Sequence, residues 1–138
     1  LIEQKGRSIE EIADKLAKKG VAVINLGNEL AKKIKKLNNT KYIIVDAPNL
    51  LRELFDKHNV ITPNIYKPVI AIYNLGILLE PTLSLAATNI LGNISKDKVI
   101  IVIWNYLIKD GKVLYWTDES FNYYNFDFSD YNLKILEI

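Results

Sequence analysis

The sequence contains no cysteine and no methionine, and a single histidine, His58. Without cysteine there is no disulfide framework and no thiolate zinc site, which suits a reducing interior; a cytoplasmic location is the expectation. With one histidine, a His-cluster metal site or a Ser-His-Asp triad has little to stand on. His58 falls at an expected helix end, where a solvated or carbonyl-bonded imidazole is the ordinary role. Long hydrophobic runs are absent too. None reaches the roughly 18 residues of a membrane span, and the opening LIEQKGRS lacks the apolar core of a signal peptide, so no membrane partner is expected. The chain starts at Leu1 without methionine, so its front is expected to be trimmed.

Charge of one sign is also lacking. The net charge is +2, which names no partner. Its distribution is uneven: residues 1–60 carry +4 and residues 61–138 carry −2. What is present is an ordinary globular composition, 49% hydrophobic and 25% charged over 138 residues. That is enough for one domain with a real core, expected to span 1–138 and to lack an N-terminal strand.

The chain is organised around residues 68–104. The apolar run of residues 68–81, then LSLAATNILGNIS and KVIIVIW, reads as buried strand, short helix, buried strand. Runs rich in Val and Ile that do not alternate are those of strands covered on both faces. Before them, Ser8 and Glu11 form a capping box, and Ile9, Ile12, Ala13, Leu16 and Ala17 line one helical face until Gly20. This predicts a helix over 8–19. VAVIN (21–25) predicts a strand and about 28–38 a second helix. YIIVD (42–46) predicts another strand, with Asp46 capping a helix that has Pro48 in its first turn. Asp110-Gly111 predicts a hairpin turn, and LKILEI (133–138) a final strand. The expected fold class is α/β: three layers, a mainly parallel sheet, and antiparallel hairpin or edge strands at the C-terminus.

Candidate chemistry is sparse. Lys32, Lys33, Lys35 and Lys36 could meet phosphates, but no aromatics accompany them and a solvated helix face is the better reading. Asp118, Glu119, Asp127 and Asp130 could hold a hard cation, yet their spacing matches no calcium loop. Eight of the fourteen aromatics fall within 115–131, a stretch with four acids and no Lys or Arg. That excludes a base-stacking face better than it suggests one; sheet packing is favoured over protein contact. Residues 25–27, 46–48, 73–76 and 104–106 lie at expected C-terminal strand ends, where α/β proteins bind ligands. Gly6-Arg7-Ser8 opens the first helix as the G-K-[ST] of a phosphate loop does.

Several strings resemble a known family, the small P-loop protein (BrxF) of BREX phage-exclusion systems. They are GRSIEEIADKLAKKGVAVINLGNELAKKI, NLGILLEPTLSLAATNILGNISKDKVIIVIW and GKVLYWTDES, with Asn25-Leu26-Gly27, Asn74, Glu80-Pro81 and Trp104 at matching places. The resemblance implies a P-loop-NTPase-like fold, ATP with Mg²⁺ as cofactors, other defence-system proteins as partners, and homo-oligomers among the assemblies to consider. Gly6, Arg7, Ser8 and Asn74 would be the nucleotide-binding residues. The departures are pointed. Arg7 stands at the Lys position, the glycine-rich turn is missing, and the leading strand would lie before Leu1. Tyr73 stands where the magnesium-side Asp belongs, and Gly76 where an acid would follow. The expectation is therefore an accessory subunit with a degraded nucleotide site and no assigned catalytic residue. The alternatives are an ATPase using Arg7, Ser8 and Glu80, or an unrelated α/β module that binds protein or, through its lysine helix, nucleic acid.

Overall fold

The computed structural model describes residues 2–3, 8–37, 39, 41–57, 68–83, 85–104, 106, 108–115, 125–131, 133–134 and 136–137. Its centre is a parallel sheet of β2 (Ala22–Asn25), β3 (Val69–Tyr73) and β4 (Val99–Trp104). The two-residue strands β1 (Ile2–Glu3) and β8 (Leu136–Glu137) extend it, also in parallel, in the order β2-β3-β4-β1-β8. The strand feeding the first helix thus includes Ile2 and Glu3, whereas counting from the sequence puts it before Leu1.

The absence of apolar–polar alternation in the strands has a direct cause. Ile24, Ile70, Ile72, Val102 and Trp104 point to one face, while Val23, Ala71, Ile101 and Ile103 point to the other. Both faces are covered. Helix α1 (Ile9–Lys18) lies on the second face, its Ile12 and Ala13 packed on Ala71 and Ile103. Helices α2 (Leu26–Lys35), α3 (Ile43–Asp56) and α4 (Ala87–Ile94) cover the first. The chain crosses from β1 to β2 with α1, then steps back through β3 to β4 with the other helices. Parallel crossovers are right-handed in nearly all proteins, so reversing direction across the sheet moves the connection to the opposite face.

Helix α1 has both of its expected ends. Ser8 Oγ accepts from the Glu11 N–H at 3.1 Å. At the other end Gly20 takes φ +86, with Gly20 N–H donating to Ala17 O and Val21 N–H to Leu16 O. This is a Schellman motif, and Leu16 and Val21, the residues that customarily meet in it, both pack against the cluster of Ile12, Ala13, Ala71 and Ile103. Helix α2 starts two residues before the expected boundary, directly from β2, because Asn25 is both the last strand residue and the N-cap.

YIIVD is not a strand. Helix α3 begins at Ile43 and runs through it, with Pro48 its sixth residue rather than in a first turn after Asp46. Ala47, Leu51, Leu54 and Phe55 set its buried stripe, and Ala47, Leu51 and Phe55 are each 0% exposed. β2 and β3 pair directly, Asn25 opposite Tyr73, so a strand inserted between them in sequence has no place between them in the sheet. The β-branched residues yield to this arrangement, and Ile44 and Val45 are left 57% and 63% exposed.

In the C-terminal part, β8 falls within the expected LKILEI strand at the sheet edge, but it is parallel rather than antiparallel, and the hairpin departs from the expected edge extension. Strands β5 (Ile108–Lys109), β6 (Val113–Tyr115) and β7 (Asn125–Asp127) form a separate antiparallel sheet. Asp110 and Gly111 take φ 54 and 66, and Lys112 N–H donates to Lys109 O, the pattern of a type I′ turn. Phe126 and Phe128 are buried while Asp127 and Ser129 are exposed, the alternation of a strand covered on one face. Phe126 meets Trp104 edge-on at 5.8 Å, which fastens the second sheet to the end of β4. For these aromatics sheet packing is the role. Trp116, Phe121, Tyr123 and Tyr124 lie outside the described residues.

Candidate functional site

Three strand ends and one helix start converge at the C-terminal edge of the sheet. They enclose a cleft of about 190 Å³ lined by Asn25 from β2, Tyr73 and Asn74 from β3, Ile103 and Trp104 from β4, Tyr106 beyond it, and Ile9 and Glu10 from α1. The position follows from topology. β1 and β4 are neighbours whose outgoing connections leave to opposite faces, and a crevice opens where connections diverge in this way.

One wall is a fixed hydrogen-bonded unit. Asn74 takes φ 60, which Asn tolerates better than most residues. Its Nδ2 donates to Asn25 Oδ1 at 2.8 Å, and the Asn28 N–H donates to the same oxygen at 3.1 Å. Gly27 allows the approach: a Cβ there would lie 2.6 Å from Asn74 O and 2.8 Å from Asn74 Nδ2. The opposite wall is aromatic, with Trp104 buried and in edge contact with Tyr106 at 5.9 Å.

The nucleotide-binding expectation divides here. Asn74 lines the cleft. Ser8 does not, although it immediately precedes Ile9, and its oxygen is engaged as the α1 cap. Gly6 and Arg7 lie outside the described residues. Residues 46–48 fall inside α3 and form no strand end. Glu80 lies between two 3₁₀ turns, Gly76–Leu79 and Pro81–Leu83; it is exposed, accepts from Thr82 Oγ1 at 3.4 Å, and does not line the cleft.

The described side chains of the cleft do not fit a magnesium–phosphate centre. β3 ends in Tyr73-Asn74, which brings no carboxylate, and both lone pairs of Asn25 Oδ1 are already used. The first turn of α1 carries Glu10 and Glu11, which complement the helix dipole and thereby oppose an incoming phosphate. No group of three metal-ligating side chains occurs among the described residues. Of the tail acids, Asp127 is bound by the hydroxyl and backbone N–H of Ser129, which hold its carboxyl below the ordinary aspartate range, the hydroxyl having the larger effect. Asp118 and Glu119 lie outside the described residues, as does His58.

On the lysine helix, Lys32, Lys35 and Lys36 are exposed and Lys33 is half-buried. Lys32 pairs with Glu29 at 3.7 Å, and Lys33 reaches Glu53 of α3 at 3.5 Å, bracing the two helices. No described helix is long and apolar enough to cross a membrane. Comparison with protein-family models, curated proteins and solved structures finds no match to the chain. Glu10 is the cleft residue that sequence reasoning missed. It sits inside a capping motif that explains an acid there without any ligand, so no sequence signal separates its two roles.

Proposed function

We propose that the chain is a P-loop-NTPase-like accessory subunit of a BREX-type phage-defence system, with a degraded nucleotide site, acting through protein partners. The observation that carries this reading is the β3 terminus, Tyr73-Asn74, in the cleft beside the start of α1. Phosphate-loop proteins hold their nucleotide where a mid-sheet strand is followed by a helix start that faces the end of another buried strand. In this chain that arrangement supports the kinship, and the tyrosine and carboxamide support the loss of magnesium chemistry. Arginine in place of lysine at position 7 points the same way, because a planar fork does not reproduce an ammonium point charge.

The test is calorimetry with Mg-ATP alongside a phosphate-release assay. Binding weaker than about 1 mM and no release above background is the expected result. Turnover that disappears on Ser8→Ala, with the fold intact by circular dichroism, would sink the reading.

A further inference from the structure

We propose that the cleft at the ends of β2, β3 and β4 takes the neutral base of an adenine nucleoside, read along its edge by Asn74. Two carboxamides form the wall, and the chain fixes which way round each one lies. The Asn28 N–H needs an oxygen, so Asn25 turns Oδ1 toward it at 3.1 Å. That oxygen in turn requires a donor from Asn74, whose Nδ2 lies 2.8 Å away. Asn74 thus keeps its Oδ1 and one N–H, and Asn25 keeps both of its N–H groups, with no described residue engaging them. An acceptor and a donor on one carboxamide match the amino group and adjoining ring nitrogen of adenine. The wall is in place before a ligand arrives. Asn74 sits at φ 60 against Gly27, and its bond to Asn25 holds the side chain.

Tyr73 supplies a flat surface beside this edge. It stands opposite Asn25 in the ladder and next to Asn74 in the chain, lines the cleft and is half-buried. Its ring makes no contact with another described aromatic ring, and any base has a face that stacks on such a ring. Charge and size exclude the rest of a nucleotide. Among the described lining residues there is no Lys or Arg, whereas Glu10 is present. Its carboxylate repels a phosphate and is indifferent to the charge of a neutral base. About 190 Å³ is below the usual range of drug-sized ligand pockets, roughly 300–1,000 Å³. It suits a flat base with its sugar left at the mouth. The inference deepens the proposed function and rests on it for the lost phosphate affinity.

A titration followed by proton–nitrogen NMR reads the site, because the side-chain amide signals of Asn25 and Asn74 report on it directly. The probes are adenosine, purine riboside (adenosine without its amino group), AMP, Mg-ATP and a single-stranded deoxyadenosine octamer. Adenosine should saturate with a Kd on the order of millimolar and move both amide signals. Purine riboside should bind about tenfold more weakly, the ordinary worth of one edge contact, in a comparison that needs no variant. Each added phosphate should weaken binding further, the reverse of a phosphate loop. Tyr73→Leu, with the fold intact by circular dichroism, should lose about tenfold through the missing stack. No saturation by adenosine, equal binding of purine riboside, or unchanged affinity in Tyr73→Leu overturns the adenine site. If Mg-ATP also fails to bind, the degraded-site reading survives that loss. Mg-ATP binding more tightly than adenosine overturns both. An octamer that binds more tightly than adenosine assigns the base to a nucleic acid and overturns the nucleoside source.

Discussion

Gly27→Ala sets two known effects against each other. Gly27 is the second residue of α2, and replacing glycine by alanine inside a helix ordinarily stabilises by about 1 kcal/mol. Here the new Cβ would lie 2.6 Å from Asn74 O, 2.8 Å from Nδ2 and 2.9 Å from Cγ. The nearest of these is a backbone atom, and it has little freedom. Asn74 is at φ 60 directly after β3, and its side chain is bonded to Asn25. Overpacking of this kind costs roughly 1–3 kcal/mol, and losing the Asn74–Asn25 hydrogen bond adds about 1 kcal/mol. Against the helical gain of about 1 kcal/mol, the net expectation is destabilisation of roughly 1–3 kcal/mol, a fall in Tm of about 3–10 °C for a domain of this size. Urea and thermal unfolding by circular dichroism measure it. Gly20→Ala is the control, because nothing lies within 4 Å of its Cβ and only the positive φ of 86 resists it; about 1 kcal/mol is expected there. A Gly27→Ala protein as stable as the parent, or more so, would refute the reasoning. Propensity would then outweigh the close approach, and the Asn25–Asn74 wall would not be fixed.

Gly92→Ala probes the C-terminal part of α4. Its Cβ would run into the Tyr131 ring, so the ring must swing off Phe128 and release its hydrogen bond to Asn89 Oδ1. A loss of roughly 1–2 kcal/mol is expected in urea unfolding, and most of it should vanish when Gly92→Ala is made in a Tyr131→Ala background. Asp127 should titrate below the ordinary aspartate range by NMR, and Ser129→Ala should return it toward that range. A carboxyl whose folded pKa is depressed adds stability above its unfolded pKa and loses it as pH falls through the folded one. The parent should therefore resist acid slightly better than Ser129→Ala, and identical acid transitions would remove the linkage.

Elements announced by local chemistry were legible. Ser8, Glu11 and Gly20 bracket α1 because a cap and a left-handed glycine act within one turn of themselves. Asp110-Gly111 placed the hairpin for the same reason. The unalternating Val and Ile of 69–73 and 99–104 correctly implied a sheet covered twice. YIIVD misled because its β-branched residues express only a preference, which the direct pairing of β2 with β3 overrode. The separate sheet at the C-terminus was likewise beyond reading. A hairpin's turn does not say which neighbours its strands will find.

The cleft divides along the same line. The order of amino acids determined that β3 ends without an acid, that glycine stands at 27, and that Glu10 lies in a helix's first turn. Those are properties of single positions, set by side-chain chemistry alone. Only the tertiary structure brings Glu10, Asn25, Tyr73, Asn74, Trp104 and Tyr106 around one cavity. Parallel strands bring their C-terminal ends to one edge however far apart those ends lie in the chain. Which of them adjoin depends on the order of strands in the sheet, which the whole core decides together.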